Sequence, residues 1–226
     1  NNFVYMMNEK ARKLGLDSLR YCTPHGLPPG DTGTCMDQGS AYDIYKLALT
    51  AIKYPDYMSI ANRSSDYIKD GTIMLKATNN LLGKVDGVDG LKTGYHRAAG
   101  SNIVLTAERD GLRVITVIMG SEKSKNRDNL GEEEINYFFA NYKNGKIISK
   151  NNPVTTIKVN NKEYTLYPDK DIEDIININN FDQSKVKYKL NLNKTTSKLR
   201  DGQILGDYTA IYEGNEYSGK LQYKQR

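Results

Sequence analysis

Chemistry concentrates in Val88-Asp89-Gly90-Leu91-Lys92-Thr93-Gly94. A lysine, a hydroxyl and a glycine in consecutive positions suit a strand at the lip of a cleft. The Lys92 ammonium supplies a cation beside a nucleophile or an anionic substrate group. The Thr93 hydroxyl can donate a hydrogen bond to a carboxylate. Gly94 has no Cβ, so a substrate backbone can come close to the strand. Asp89 and Asn79 are placed to orient that strand, although ordinary turn chemistry also accounts for both. Three letters recur by chance in a chain this long with a probability on the order of a few per cent, so the neighbouring segments must decide.

The elements that would position these residues follow from periodicity. Val4, Met7, Ala11 and Leu14 recur at helical spacing, and Gly15 follows as a C-cap. A Gly- and Pro-rich loop covers Thr23–Gly39. Ser40, three residues before Asp43, is an N-cap signature. Ile44, Leu47, Ala48 and Ala51 form the buried face of that helix, which Pro55 stops. After the Gly-rich Leu82–Gly94, two strands are predicted over Ser101–Ala107 and Leu112–Met119. They are joined by a tight turn at Asp110-Gly111. A helix over Asn126–Tyr142 carries Ile135, Phe138, Phe139 and Tyr142 on one face and ends at Gly145. Beyond it, Thr155–Tyr167, Lys185–Leu192 and Ile204–Tyr223 read as antiparallel strands, with hairpin turns at Asn160-Asn161 and Glu213-Gly214-Asn215. The expected class is α+β, with a boundary in Lys143–Pro153 dividing residues 1–145 from a small all-β domain at 146–226.

These segments resemble the low-molecular-weight penicillin-binding proteins, the serine-type D-alanyl-D-alanine carboxypeptidase family, over nearly the whole chain. The likeness runs from Phe3-Val4-Tyr5-Met6-Met7-Asn8-Glu9-Lys10-Ala11 and Leu14-Gly15-Leu16 through Thr23-Pro24-His25-Gly26-Leu27, similar to the family's N-x-H-G-L. Ser40-Ala41-Tyr42-Asp43 resembles its S-T-A-x-D. Asn79-Asn80-Leu81-Leu82, Gly90-Leu91-Lys92-Thr93-Gly94, Ala99-Gly100, Val117–Gly120 and Arg127 follow in order. The resemblance implies the C-terminal part of a penicillin-binding, β-lactamase-like transpeptidase domain, followed by a stalk-like β domain. Lys92, Thr93 and Gly94 then look like the family's third catalytic motif. The Tyr95 amide looks like one oxyanion-hole donor, and Arg127 lies where the family has an arginine near the substrate's terminal carboxylate. His25 sits in the loop beside the cleft, as scaffold more than catalyst.

The implied reaction is acyl transfer on peptidoglycan pentapeptide stems, with β-lactams acylating the same serine and no metal or organic cofactor. The family's nucleophile, the Ser of S-x-x-K, and its S-x-N motif precede the segment like Phe3–Leu16. Ser184-Lys185-Val186-Lys187, Ser124-Lys125-Asn126 and Ser149-Lys150-Asn151 fit the letters. All come after the Lys-Thr-Gly, the first in an expected strand and the others in a loop and a linker, so all three are set aside. Asn1 opens directly on a helical pattern. Roughly a hundred residues carrying the nucleophile are then expected outside this sequence, through cleavage, a separate N-terminal chain or a degenerate paralogue. The chain alone is expected to show no turnover. A non-catalytic peptidoglycan-binding or scaffolding paralogue is the alternative. A class A β-lactamase-like hydrolase fits less well with the β domain and Arg127.

Composition narrows the remaining classes. The net charge of +5 arises from interleaved acids and bases without a nucleic-acid-binding motif. The longest apolar run, Val114–Met119, is far short of the ~20 residues of a membrane helix. Two Cys and two His exclude a Cys-rich zinc module. No signal peptide or lipidation motif stands at Asn1, which leaves a cytoplasmic or a mature secreted protein open. Cys22 and Cys35 bracket the loop around His25. They are expected either to staple it in an oxidising, extracytoplasmic setting, at the wall or outer membrane-surface face of a bacterium, or to remain two thiols. The loop looks longer than the family's usual one, which favours the disulfide.

Overall fold

The computed structural model describes residues 2–33, 35–196 and 198–225; Asn1 lies outside them. The chain divides into two compact units, Asn1–Ala140 and Asn141–Arg226. Basic and acidic side chains are equal in number in the first, so the whole net charge of +5 belongs to the second.

The first unit is built on an antiparallel sheet of β3 (Val88–His96), β4 (Gly100–Arg109) and β5 (Leu112–Ser121), in that order. Asp110-Gly111 turns β4 into β5 with both residues at positive φ. The helix α5 (Ser124–Asn141) covers one sheet face. Ile135 packs there against Ile103, Leu105, Val88 and the turn residues Leu81, Leu82 and Val85. Gly131 lets α5 approach closely, because a Cβ there would stand 2.5 Å from Leu105 Cδ1. The other face meets α3 (Ala41–Ala51) and α4 (Pro55–Ala61), with Met58 and Ala61 over Gly90. Arg113 of β5 ties the three strands together. Its guanidinium reaches across β4 to Asp89 of β3 at 2.8 Å and donates to Thr106 Oγ1 at 2.6 Å.

Pro55 does not merely stop a helix. α3 ends at Ala51, and Pro55 opens α4 at its first position, where its missing N–H costs nothing. Ser40 caps α3 as expected, accepting from the Asp43 amide at 3.2 Å. Asp43 reaches not back to the cap but to Ser18, accepting from its amide at 2.8 Å and its hydroxyl at 2.7 Å. Ser18 Oγ in turn accepts from the Ser40 amide at 2.9 Å. This clasp joins α3 to the turn that follows α1 (Asn2–Lys13), with the short α2 (Pro29–Thr32) between them in the chain, and Ala11, Leu16 and Leu19 form the small core there. A short hairpin of β1 (Ser65–Ile68) and β2 (Ile73–Lys76) was not read from the sequence. All eight of its residues are exposed.

The second unit holds a five-stranded antiparallel sheet in the order β10 (Lys187–Leu192), β11 (Ile204–Tyr212), β12 (Asn215–Tyr223), β8 (Lys162–Pro168) and β7 (Thr155–Val159). Its hairpin turns fall at Asn160-Asn161 and Glu213-Gly214, all at positive φ. A two-stranded ribbon of β6 (Tyr142–Ile148) and β9 (Ile172–Asn177) accompanies it. Tyr208, Leu205, Leu166, Leu221, Ile147 and Ile148 fill the core. The expected linker from Lys143 therefore begins as the strand β6, and Gly145 lies within it. Its lack of a side chain makes room for Ile176, whose Cδ1 would stand 2.2 Å from a Cβ. Ser184 lies in a 3₁₀ turn, Gln183–Lys185, rather than in a strand, and its hydroxyl donates to Asp182.

Candidate active site

Lys92, Thr93 and Gly94 sit on β3, an edge strand of the sheet, and line a cleft of about 1580 Å³. An edge strand leaves alternate backbone amides and carbonyls without a strand partner, so an extended ligand can pair there. Two side chains hold this edge. Asn79, buried beside β3, donates to the Gly90 carbonyl at 3.2 Å and accepts from the Leu81 amide at 3.1 Å. Asp89 is fixed by Arg113. Both residues thus brace the strand just before the Lys-Thr-Gly. A Cβ built on Gly94 meets no atom within 4 Å; the space above it is open cleft. Tyr95 follows with its side chain 74% exposed.

The facing wall is the loop that carries His25. An antiparallel bridge between Arg20 and Gln38 closes its base. The disulfide Cys22–Cys35 crosses it, with Cα atoms 5.5 Å apart. Asp37 adds a third tie, accepting from the Cys22 amide at 2.7 Å and the Thr23 amide at 3.0 Å. The exposed His25 uses Nδ1 to accept from the Leu27 amide at 3.1 Å.

Charge in the cleft is uneven. Lys76, Lys92, Lys123 and Lys125 line it, and none has an ion-pair partner among the described residues. Asp37 is spent on the loop amides, which leaves Glu122 as the remaining lining acid. The Lys92 ammonium donates to the Thr93 carbonyl. Such a surface favours an anionic ligand.

Arg127 reaches the cleft wall from the first turn of α5 but is 4% exposed. Its Nε and Nη2 fork onto Asp128 Oδ1 at 2.8 and 2.6 Å, and Nη1 donates to the Asn102 carbonyl at 3.3 Å. Asp128 also accepts from Asn80 at 2.8 Å. A ligand carboxylate would therefore share this guanidinium with Asp128. Asp128, Asn80 and Asn102 were not singled out from the sequence. Only Asp128 next to Arg127 offered a signal, and adjacent opposite charges are too common to carry one. Ser124 stands at the start of α5 and lines the cleft; it was expected in a loop. No cluster of metal-ligating side chains occurs among the described residues.

A family model described as D-alanyl-D-alanine carboxypeptidase matches residues 1–123. The D-alanyl-D-alanine carboxypeptidase DacF of Bacillus subtilis is 31% identical over 160 residues, covering 70% of this chain and 40% of that protein. Penicillin-binding protein 5 of Haemophilus influenzae superposes with a TM-score of 0.64 at 26% identity, over 99% of this chain and 65% of that one. Penicillin-binding protein D2 of Listeria monocytogenes, solved in a cefotaxime-bound form, superposes at 0.54 with 28% identity, over 61% of this chain and 56% of its own. The mixed α+β architecture is therefore that of known penicillin-binding proteins, and the chain spans less than two thirds of these relatives. With a family match over more than half of its residues, the chain belongs to the D-alanyl-D-alanine carboxypeptidases, the low-molecular-weight penicillin-binding proteins.

Proposed function

We propose that this chain forms one wall of the active site of a serine-type carboxypeptidase that removes the terminal D-Ala of peptidoglycan stem peptides. The observation that carries the reading is Lys92-Thr93-Gly94 on the open edge of β3, facing a cleft rich in unpaired lysines. A peptide ending in a free carboxylate lies extended along this edge, its backbone passing over Gly94. Thr93 donates its hydroxyl to the carboxylate, and Arg127 adds positive charge from below. Lys92 places a cation beside the nucleophile, and the Tyr95 amide serves as an oxyanion donor. His25 and its loop form the opposite lip.

The serine nucleophile attacks the carbonyl of the D-Ala-D-Ala bond, the terminal D-Ala leaves as the free amino acid, and water hydrolyses the acyl-enzyme. A β-lactam meets the same geometry, since its carboxylate and strained amide mimic the peptide terminus. The cefotaxime-bound Listeria relative supports this. We assign the nucleophile to a segment outside these 226 residues, on the same or a separate chain. The span of 40% of the Bacillus relative supports that assignment, as does the position of Ser184 in the second unit. In this reading residues 1–145 complete the catalytic domain and 146–226 form a stalk. The disulfide supports action outside the cytoplasm.

A fluorescent penicillin tests the proposal. The protein that unites this chain with its nucleophile should be acylated stoichiometrically, with the label mapping to a serine outside residues 1–226, while the isolated chain stays unlabelled. No acylation of the united protein would leave a non-catalytic wall-binding protein instead.

A further inference from the structure

Thr78 lies in the segment between β2 and the turn before β3, and its hydroxyl oxygen is 2.5 Å from that of Thr93. Its placement is fixed on both sides. The Ala77 amide donates to the Ser64 carbonyl at 2.9 Å, and the neighbouring Asn79 is tied to Gly90 of β3 and to Leu81. Thr78 itself is exposed to the cleft.

A threonine hydroxyl has one hydrogen to donate and two lone pairs to accept with. Between Thr78 and Thr93 only one hydrogen can lie on the line joining them. If Thr93 donates to Thr78, it has none left for a ligand. If Thr78 donates to Thr93, the Thr93 hydrogen is free to point into the cleft, and the accepted bond polarises it toward a negative acceptor. An anionic ligand selects the second arrangement.

Resting on the carboxypeptidase reading, we propose that Thr78 is a positioning residue. It donates to Thr93 Oγ1 and so commits the Thr93 hydroxyl to donation, tuning the site for a ligand with a free carboxylate. Removal of the Thr78 hydroxyl leaves the Thr93 rotor unheld and able to present either its hydrogen or a lone pair.

Two measurements decide. In the 226-residue chain, the three-bond coupling between the Thr93 hydroxyl proton and its Hβ, measured by NMR at low temperature, reports the direction of the O–H bond. Thr78→Val should turn one O–H rotamer into an average, and Thr78→Ser should keep it single; an unchanged coupling in Thr78→Val overturns the proposal. In the acylating protein, Thr78→Val should slow acylation by penicillin G about three- to tenfold, the worth of one neutral hydrogen bond. Thr78→Ser should restore it, and the methyl ester of penicillin G should react with wild type and Thr78→Val alike. An equal loss for acid and ester overturns the proposal. If wild type is acylated by neither, the carboxypeptidase reading fails and the Thr93 coupling alone decides the role of Thr78.

Discussion

Gly94→Ala separates the needs of the fold from those of the ligand. Built on the backbone, the new methyl meets no heavy atom within 4 Å, and Gly94 does not have positive φ. Nothing in the fold resists the substitution, and the unfolded chain loses glycine's extra freedom. Stability should stay level or rise by about 0.5–1 kcal/mol, or about 1–4 °C in Tm. In the proposed binding mode the methyl occupies the space through which a peptide or β-lactam passes to lie against β3. Displacing the ligand by about 1 Å costs roughly a hundredfold in rate. The assay pairs thermal unfolding with the second-order rate of acylation by fluorescent penicillin. Gly206→Ala in the second unit is the control. At φ +149° a Cβ would stand 2.2 Å from the Asn191 carbonyl oxygen, so stability there should fall by about 2–6 kcal/mol. Unchanged acylation in Gly94→Ala would refute the passage of ligand over this glycine, and a fall in Tm would refute the open geometry above it.

Three further outcomes follow from the same contacts. Asn79→Ala leaves the Gly90 carbonyl and the Leu81 amide without the partner they share. It should cost about 1–3 kcal/mol by urea unfolding and slow acylation as well, because β3 loses its brace. The Asp43 carboxyl is held down to about 2 from its ordinary 3.8, first by the hydrogen bond from Lys46 and then by those from Ser18. A depressed folded-state pKa stabilises above the unfolded value, and that stabilisation is lost as pH falls through the folded one. The Tm gap between wild type and Asp43→Asn should therefore be full above about pH 4 and close by about pH 2; a gap independent of pH would contradict this. Replacing Cys22 and Cys35 by Ser opens a loop of 13 residues. By chain entropy it should cost about 3 kcal/mol, with faster hydrogen exchange over residues 22–38.

Local signals in the sequence identified the elements whose residues are neighbours along the chain. Asp110-Gly111 names its turn because positive φ is cheap at that pair, and Ser40 names its helix start because a hydroxyl must reach an amide three residues on. Tyr188, Leu190 and Leu192 alternate with polar residues along β10, but only Tyr188 is partly buried there, so this strand is held by pairing with β11 rather than by a buried face. What escaped depends on long-range pairing. Tyr142–Ile148 carries Lys, Asn and Gly, which read as a linker, and becomes a strand only because Ile172–Asn177 pairs with it. Ser65–Ile68 and Ile73–Lys76 pair without burying a face, so neither shows the alternation that marks a half-buried strand. In the site, Lys92-Thr93-Gly94 was legible as a contiguous motif. The buried set around Arg127 was not, since Asn80 meets Asp128 across 48 residues. Thr78, facing Thr93 from 15 residues away, was equally silent.

In the proposed reaction the Lys-Thr-Gly edge of β3 is the wall against which the acyl transfer occurs. Release of D-alanine from a pentapeptide stem, measured on the protein that unites this chain with its nucleophile, tests that most directly. Wild type should release one D-alanine per stem. Lys92→Ala should reduce the rate about a hundredfold or more, the scale for losing one preorganised electrostatic group, with the fold intact because Lys92 is exposed. A Lys92→Ala enzyme that releases D-alanine at the wild-type rate would contradict the assignment of the active site to this strand.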